Sequence, residues 1–320
     1  MLLNSKLNRR SFITTGFAAG VTAGAALRAA TTKAPKIDKS RISAISDEVS
    51  KSPAEAIAFA HEFGMQWLSL RDVPGGKQSY HTMEPDQLAA VHAELKEAGI
   101  KVSFLDTPLL KFGLPGTEPA RKTPEPAESR AKRIASDQAR YDGRMEELRK
   151  AIRACHALDC NMMRVFSFTR VAEPESVFQR VADHIGELAK VTEKEGVRLL
   201  IENETSQNVG TCAETAKFMK LLPDKALAIN WDSLNGEPLG EHSYPEGYDF
   251  LPKHRILNVH LKGKSVLDYP EHLDWGVIFA RLQQDGYLGR LELETHIFGD
   301  SQVPASHAAM REIMRIIGTL

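Results

Sequence analysis

The sequence predicts an α/β fold, a single-domain (β/α)8 TIM barrel in which eight parallel strands close into a cylinder surrounded by helices. From Arg41 onward, short runs rich in Leu, Ile and Val alternate with stretches of helical periodicity, giving eight strand–helix pairs. A chain of 320 residues has the length of one large barrel. The main alternative is a doubly wound open sheet, but no glycine-rich phosphate loop follows the first strand.

Two strand–helix pairs and a third strand open the predicted barrel. The first helix has a capping residue in Ser52, a proline suited to the first turn in Pro53, and a terminating glycine in Gly64. The second helix carries apolar residues at helical spacing, namely Leu88, Val91 and Leu95. The strands are predicted at 41–46, 66–71 and 100–106, and the helices at 53–64 and 84–99.

A long polar segment then interrupts the alternation. Residues 107–136 hold five prolines and many charges, which predicts a long loop or an inserted segment. The third helix is predicted to follow at 137–158. The insertion could complete the pocket of a neighbouring subunit in a homo-oligomer, or cover its own pocket, and the sequence leaves both open.

The second half of the chain contains five further strands, separated by helices. The helix at 174–196 is strongly amphipathic and ends at Gly196, whereas 236–255 is polar and rich in Gly and Pro, with at most a short helix. The strands are predicted at 160–167, 197–202, 226–232, 255–262 and 290–296. The remaining helices are predicted at 212–222, 273–286 and 307–318.

The N-terminus predicts a domain order of signal (1–30), linker (31–40) and barrel (41–320). Arg9 and Arg10 precede Phe12 and a weakly apolar Ala/Gly-rich stretch, which is typical of a twin-arginine export signal. The stretch is too short and too rich in Gly and Thr for stable membrane insertion. We therefore expect recognition by the twin-arginine export machinery and a periplasmic or otherwise exported location. A disordered basic N-terminus is the alternative.

Composition limits the classes of partner. The net charge of −1 argues against a nucleic-acid-binding protein that acts through a broad basic field. The three cysteines do not suggest a disulfide framework, because an odd number leaves at least one unpaired. Cys155 and Cys160 flank a predicted helix end, so we interpret them as buried small apolar residues, with a bridge as the alternative in an exported protein.

Four short apolar runs within the predicted strands of the second half each end in a potential metal ligand. The four residues are Glu202, Asp232, His260 and Glu294. Side chains at the C-terminal ends of barrel strands face the mouth of the barrel, and neighbouring strands are about 5 Å apart, so we expect these groups to converge. Three carboxylates and one imidazole suit Mn²⁺ or Mg²⁺, with Co²⁺, Fe²⁺ or Zn²⁺ also compatible. One such acid alone would more often be a helix cap or an ion-pair partner.

Other strand-end residues are candidates for the pocket wall. Arg71, Arg164, Asn235 and Lys262 are predicted to bind substrate; Arg164 could instead be an ion-pair partner inside the barrel. Lys262 follows His260 by two residues and should point to the same side of its strand. Further candidates to line or cover the pocket are Glu48, Asp106, His242, Tyr244, Tyr248 and His296.

Several motifs resemble those of the sugar phosphate isomerase/epimerase family of xylose isomerase-like TIM barrels. The resemblance covers about residues 41–318 and is carried by SDEVS (46–50), LSLRDV (68–73), LLIENE (199–204), INWDSLN (229–235), NVHLKGK (258–264) and GYLGRLELETH (286–296). It implies that Glu202, Asp232, His260 and Glu294 are the metal ligands and that Glu202 and Glu294 are also the catalytic acid/base pair. Ketose epimerases of this family carry a substrate-binding His at the position of Asn235, so their substrate is not implied. Endonuclease IV relatives use additional His ligands for three zinc ions, and this chain lacks such a set.

These observations predict a divalent-metal-dependent isomerase or epimerase that removes a proton next to a carbonyl. Export favours an unphosphorylated sugar or keto-sugar as the small-molecule substrate. A metal-dependent sugar lyase or dehydratase of the same fold shares the first chemical step and is the close alternative. A non-catalytic sugar-binding protein is the alternative from another class.

Overall fold

The computed structural model describes residues 36–268 and 273–320. The predicted export signal at 1–30 and the first half of the predicted linker therefore lie outside the described residues. Within the described ranges, no helix has the length and apolar character needed to cross a membrane. Ile37, inside the predicted linker, is buried, and its backbone N–H donates to Gln283 Oε1 over 2.6 Å.

Eight parallel strands form one sheet in the order β1-β8-β7-β6-β5-β4-β3-β2. Neighbouring strands in this order are consecutive in sequence, except that β1 pairs with β8. A bridge between Ile45, directly after β1, and Ser69 in β2 joins the two ends of the sheet. The predicted (β/α)8 barrel is therefore confirmed. The strands are β1 (Ile42–Ala44), β2 (Trp67–Leu70), β3 (Lys101–Leu105), β4 (Met162–Val165), β5 (Arg198–Glu202), β6 (Leu227–Asp232), β7 (Ile256–Lys262) and β8 (Arg290–Glu294).

Helices cover the outside of the barrel. They are α1 (Ser46–Val49), α2 (Pro53–Glu62), α3 (Pro85–Glu97), α4 (Ala127–Ala157), α5 (Phe178–Lys194), α6 (Cys212–Phe218), α7 (Tyr248–Phe250), α8 (Gly263–Leu267), α9 (Trp275–Gln284) and α10 (Gln302–Thr319). Ser52 caps α2 by accepting from the Glu55 N–H, as the sequence predicted. The short α1 and α8, which directly follow strands, were not predicted, because four or five residues carry too little periodicity.

The prediction of a loop throughout 107–136 is wrong for its last ten residues. Helix α4 starts at Ala127 and runs for 31 residues. Its first turns are charged and exposed, so they lack the apolar stripe that predicts a helix. Ion pairs one turn apart support this segment instead, such as Glu128 with Lys132 and Arg133 with Asp137.

Side-chain alternation along the strands determines what fills the barrel. Outward-facing residues join the large apolar core beneath the helices, whereas Phe104, Leu200 and Ala228 form a separate small cluster inside the barrel. Glu202 follows Leu200 by two residues on β5, and Asn230 follows Ala228 by two residues on β6, so both lie above this cluster. The apolar layer therefore forms the floor on which the polar strand ends lie.

A candidate metal centre and active site

Four buried side chains converge at the C-terminal ends of β5 to β8. Glu202, Asp232, His260 and Glu294 are each at most 4% exposed, and one ligand atom from each lies within 4.8 Å of the others. Strand register explains the convergence, because Asp232 is paired with His260 in the sheet and Glu294 ends the next strand. The structure thus brings together all four residues predicted from the strand ends.

His260 presents one ring nitrogen to the three carboxylates. Its Nδ1 lies 3.0 Å from Glu294 Oε2, 3.7 Å from Glu202 Oε2 and 3.9 Å from Asp232 Oδ2. Its Nε2 points the other way, toward Glu292 Oε1 at 3.0 Å. Nδ1 is therefore the nitrogen available to an ion among the carboxylates.

The two oxygens of Asp232 have different partners. Oδ1 accepts from the backbone N–H groups of Leu234 and Asn235, over 2.9 and 3.0 Å. Oδ2 is buried and has no hydrogen bond in the described structure, although Lys262 Nζ lies 3.0 Å away outside hydrogen-bond geometry. A buried carboxylate oxygen without a hydrogen bond is costly, and a cation would satisfy it. Three carboxylates, one imidazole and this open lone pair fit a hard divalent cation.

Lys262 is already inserted among the acids. Its Nζ donates to Glu294 Oε2 over 2.6 Å and therefore neutralises part of the negative charge. Burial alone would lower the pKa of Lys262, but the Asp232 and Glu294 carboxylates outweigh burial and raise it. Burial raises the pKa of Asp232 to about 6, against the opposing effect of Lys262.

Arg164 lies inside the barrel and is surrounded by acceptors. It donates to Glu202 Oε2 over 2.9 Å and to the backbone carbonyls of Thr107 and Asp106 over 3.2 Å each. The Asp106 carboxylate is 3.3 Å from the same guanidinium. The side chain thus forms the interior ion pair and also lines the cavity at the mouth, while its role in substrate binding stays a prediction.

The other predicted substrate-binding residues border the same acids. Arg71 pairs with Asp47 at 2.6 Å and with Glu48 at 2.9 Å, and its Nη1 is 3.8 Å from Glu294 Oε1. Asn235 Nδ2 donates to the backbone carbonyl of Asn203 over 3.0 Å and lies 3.4 Å from Glu202 Oε1.

Glu292 is a further site residue that was not predicted from the sequence. It is fully buried, contacts His260 as described, and has an Oε2 without a hydrogen bond in the described structure. Burial, together with the nearby Asp106 carboxylate, raises the pKa of Glu292 to about 8. The signal was present in the run RLELE, because residues two apart on a strand share a face and Glu294 faces inward. Asn230 lies beneath Asp232 by the same spacing and donates to Glu202 Oε2 over 3.1 Å.

Two further predicted pocket residues meet at the rim. The His296 backbone N–H donates to Glu48 Oε2 over 2.7 Å, and His296 Nδ1 is 3.6 Å from Glu294 Oε1. His296 has a positive φ of 51°, a conformation that non-glycine residues rarely adopt. Tyr248, predicted to line or cover the pocket, is 1% exposed, packs against the Trp231 ring at a tilt and donates to Asp285 Oδ2 over 2.9 Å.

A cavity of about 380 Å³ opens above the converging acids. Its wall carries six carboxylates and three cationic side chains: Glu48, Asp72, Asp106, Glu202, Glu204 and Glu294, with Arg71, Lys111 and Arg164. A larger cavity of about 700 Å³ lies at the opposite, N-terminal end of the strands, away from these groups. The smaller cavity is the candidate site, because barrel chemistry occurs at the C-terminal face and the titratable cluster lies there.

Comparison with solved structures supports the fold. The crystal structure of a 3-keto-D-glucoside 4-epimerase from E. coli matches with a TM-score of 0.59 at 16% identity, covering 87% of this chain and 99% of that one. A probable 3-DHS dehydratase from Bacillus anthracis matches with a TM-score of 0.62 at 14% identity, covering 85% and 98%. A sugar phosphate isomerase/epimerase from Parabacteroides distasonis matches with a TM-score of 0.58 at 14% identity, covering 87% and 94%.

A comparison with curated proteins finds no significant match. The family model described as xylose isomerase-like TIM barrel, in contrast, matches residues 57–317, which is most of the chain. That range contains β2 to β8 and all four converging side chains. On the evidence of this match and of the fold, the chain belongs to the family of xylose isomerase-like TIM barrels.

Proposed function

We propose that this chain is a divalent-metal-dependent isomerase or epimerase that acts on an unphosphorylated sugar or keto-sugar by removing a proton next to a carbonyl. The observation that carries the proposal is the cluster of Glu202, Asp232, His260 and Glu294, whose ligand atoms lie within 4.8 Å of one another below an open cavity. The similarity of the fold to sugar epimerases supports the reaction class.

The four groups have separate roles in this proposal. Asp232 and His260 act as ligands only, while Glu202 and Glu294 are both ligands and proton-transfer groups. A bound divalent ion would polarise a substrate carbonyl and stabilise the negative charge that develops on its oxygen. Mn²⁺ or Mg²⁺ is the preferred ion for this oxygen-rich set, with Co²⁺, Fe²⁺ or Zn²⁺ as alternatives.

The electrostatics around the two glutamates support proton removal. Burial raises the pKa of Glu202, but Arg164 and His260 outweigh burial and lower it. Burial also raises the pKa of Glu294, but Lys262 and His260 outweigh burial and lower it. Both side chains are therefore carboxylates at neutral pH and available to accept a proton from carbon. A proton returned on the opposite face inverts the centre, which is epimerisation.

Polar side chains around the acids would orient the substrate hydroxyl groups. Arg71 and Lys262 lie beside Glu294, whereas Arg164 and Asn235 lie beside Glu202. The substrate carbon would thus lie between two carboxylates, each accompanied by hydrogen-bond donors. Such donors hold a sugar in one orientation relative to both carboxylates.

The charge of the cavity supports an unphosphorylated substrate. Its wall holds six carboxylates and three cationic side chains, and each of these cations has a carboxylate partner within 3.3 Å. A phosphate group would enter a wall with an excess of negative charge and no free cation among its described residues. A neutral sugar carries no such electrostatic cost.

Location is a second part of the proposal. Arg9 and Arg10 support export by the twin-arginine route, which would deliver the enzyme to a compartment where sugars are not phosphorylated. Replacing both arginines with lysines should leave the protein in the cytoplasm. Cell fractionation with an antibody against the barrel tests this, and unchanged export of the variant would contradict it.

The reaction itself is tested by hydrogen exchange. Metal-loaded protein is incubated in D2O with a panel of keto-sugars and 3-keto-glycosides, and deuterium at carbon is followed by NMR. We expect incorporation into at least one sugar and its loss in Glu202→Gln and Glu294→Gln. Exchange that persists in both variants would overturn the assignment of these residues. Absence of exchange with every sugar would instead favour a sugar-binding protein.

Metal content separates loss of chemistry from loss of the ion. Asp232→Asn is the matched control, because it weakens the metal site without removing a proposed proton carrier. We expect a lower metal content in Asp232→Asn and loss of exchange in the metal-loaded glutamate variants. Less than about one tenth of an ion per wild-type chain after reloading would contradict the metal site.

The alternative is a lyase or dehydratase on the same site. It is favoured by the similarity of the fold to a probable 3-DHS dehydratase, and removal of a proton next to a carbonyl is also the first step of β-elimination. The NMR spectra from the exchange experiment distinguish the two reactions. An epimerase produces a new sugar stereoisomer, whereas a lyase or dehydratase expels the group on the β-carbon, water in the case of a dehydratase, and produces a vinylic carbon signal.

A further inference from the structure

Helix α4 ends in a turn that brings two cysteines together. The backbone N–H of Cys160 donates to the carbonyl of Cys155 over 2.8 Å, and that of Asp159 donates to His156 over 3.3 Å. Asp159 has a positive φ of 53°. This pair of hydrogen bonds defines a Schellman motif, in which the side chains at the positions of Cys155 and Cys160 typically contact each other.

The two thiols are neighbours in this turn. Cys160 Sγ donates a weak hydrogen bond to the backbone carbonyl of Met162 over 3.3 Å. The neighbouring Cys160 thiol, together with burial, raises the pKa of Cys155. In the described structure all three cysteines are unbridged and buried, with Cys155 fully enclosed and Cys160 5% exposed. Cys212 lies on α6, next to Glu241, and burial raises its pKa.

Both residues also line a cavity. Cys155 and Cys160 line the cavity of about 700 Å³ at the N-terminal end of the barrel. Its wall includes Arg290 and His156, which can pair with carboxylates of a small organic disulfide. The cavity therefore gives an oxidant of this class a route to Cys160, the more exposed of the two residues.

We propose that Cys155 and Cys160 form a reversible dithiol–disulfide site at the N-terminal face of the barrel, oxidised by small organic disulfides. The closed disulfide would tie the end of α4 to the residues that lead into β4, the strand that carries Arg164. This proposal rests on the turn and the cavity and is independent of the proposed enzymatic function. It predicts that the described structure is the reduced form of a pair that oxidises without unfolding.

The chemistry consists of two thiol–disulfide exchanges. The Cys160 thiolate, on the more exposed residue, attacks an organic disulfide RSSR, forms a mixed disulfide and releases RS⁻. Cys155 loses its proton and attacks the Cys160 sulfur, which forms the protein disulfide and releases the second RS⁻. Two protein thiols and RSSR thus become one protein disulfide and two RSH. Because the neighbouring thiol and burial raise the pKa of Cys155, we expect slow closure, and equilibrium measurements are the appropriate test.

The experiment is a redox titration of the full chain in reduced and oxidised glutathione. Samples at equilibrium are quenched with acid, alkylated under denaturing conditions and analysed by mass spectrometry with peptide mapping. We expect the number of free thiols per chain to fall from three to one in a single transition, with no glutathione attached and the bond mapped to Cys155 and Cys160. Three free thiols at every ratio, or a stable glutathione adduct, would overturn the proposal.

Two variants and a melting curve provide the controls. Cys212→Ser should leave the transition unchanged, whereas Cys155→Ser should stop at a glutathione adduct on Cys160. Should Cys155→Ser fail to fold, the peptide map of the wild-type chain decides the test alone. We expect the oxidised wild-type chain to have native circular dichroism and a higher Tm than the reduced chain. A lower Tm would show that the bond is incompatible with the native turn and would overturn the proposal.

Discussion

Glu292 Oε1 lies 3.0 Å from His260 Nε2, on the side of the imidazole that faces away from the three converging carboxylates. Glu292 Oε1 accepts this hydrogen bond, as part of a carboxylate or as the carbonyl oxygen of the protonated acid, so Nε2 carries a hydrogen and a neutral imidazole keeps its lone pair on Nδ1. Both residues are fully buried, so water does not compete for this hydrogen bond. Glu292 therefore orients the imidazole so that Nδ1 faces the proposed metal position.

We expect Glu292→Leu to weaken metal binding about 10–100-fold, the usual effect of removing the partner of a metal-ligating histidine. Without the carboxylate, both tautomers of His260 become accessible and the ring is no longer fixed. Isothermal titration calorimetry measures the affinity, and ¹⁵N chemical shifts of the imidazole report the tautomer. Glu292→Gln is the matched control, because its amide oxygen still accepts a hydrogen bond. Equal affinity of Glu292→Leu and wild type would contradict this role.

A second prediction concerns Lys262. Its ammonium is 2.6 Å from Glu294 Oε2 and 3.0 Å from Asp232 Oδ2, so it competes with a metal ion for the same oxygens. We expect Lys262→Met to raise metal affinity about tenfold and to lower the Tm of the metal-free protein, because three carboxylates then repel one another. Competition with a fluorescent chelator measures the metal affinity, and differential scanning calorimetry measures the Tm.

Lys264→Met is the control for this substitution. Lys264 lies two residues further along, in α8, and its side chain is exposed. We expect no change in metal affinity from it. Weaker metal binding in Lys262→Met would show that the ammonium supports the ion instead of competing with it.

The strand-end ligands could be predicted because two simple rules determine their position. Parallel barrel strands present their last residues at one face, and consecutive strands are neighbours, so Glu202, Asp232, His260 and Glu294 had to converge. The same alternation places Glu292 inside the barrel. The prediction was limited to strand ends, and an acid one turn of the pleat below such an end is rarely buried without a partner.

The interior ion pairs and the start of α4 could not be derived from local sequence. The partners of Arg164 are Asp106 and Glu202, which are 58 and 38 residues away and meet it only when β3, β4 and β5 are aligned. Helix α4 begins in a charged segment supported by ion pairs such as Arg133 with Glu118 and Glu125. Apolar periodicity carries no information about either feature.

A third prediction concerns Arg164, whose guanidinium balances two buried carboxylates. We expect Arg164→Met to lower the free energy of unfolding of the metal-free protein by about 3–5 kcal/mol, since Glu202 and Asp106 lose their counter-charge. Denaturant unfolding measures this loss. The additional substitution Asp106→Asn should restore part of it by removing one unpaired charge.

The Arg144–Glu187 pair is the matched surface control for this measurement. It spans 3.0 Å, and the Glu187 side chain is 49% exposed. We expect Glu187→Gln to cost less than about 1 kcal/mol. An equally small cost for Arg164→Met would contradict a structural role for the interior pair.

The last prediction concerns pH and lies outside the active site. Glu214 receives two hydrogen bonds from Arg170, over 2.7 and 3.0 Å, and backbone N–H groups of Gly210 and Thr211 donate to it at the start of α6. Burial raises the pKa of Glu214, but these bonds outweigh burial and lower it. Because the folded pKa lies below the unfolded value of about 4.3, the stabilisation is complete above that value and is lost as pH falls through the folded pKa.

We therefore expect Glu214→Gln to lower the free energy of unfolding by about 1–2 kcal/mol at pH 7, with the difference from wild type shrinking below about pH 4. Denaturant unfolding between pH 3 and pH 7 measures the loss of stability at pH 7 and its decrease at lower pH. Glu175→Gln is the control, because Glu175 pairs with Lys217 at an exposed position and should change stability little at any pH. A Glu214→Gln difference that stays constant down to pH 3 would show that Glu214 acts through packing and not through its charge.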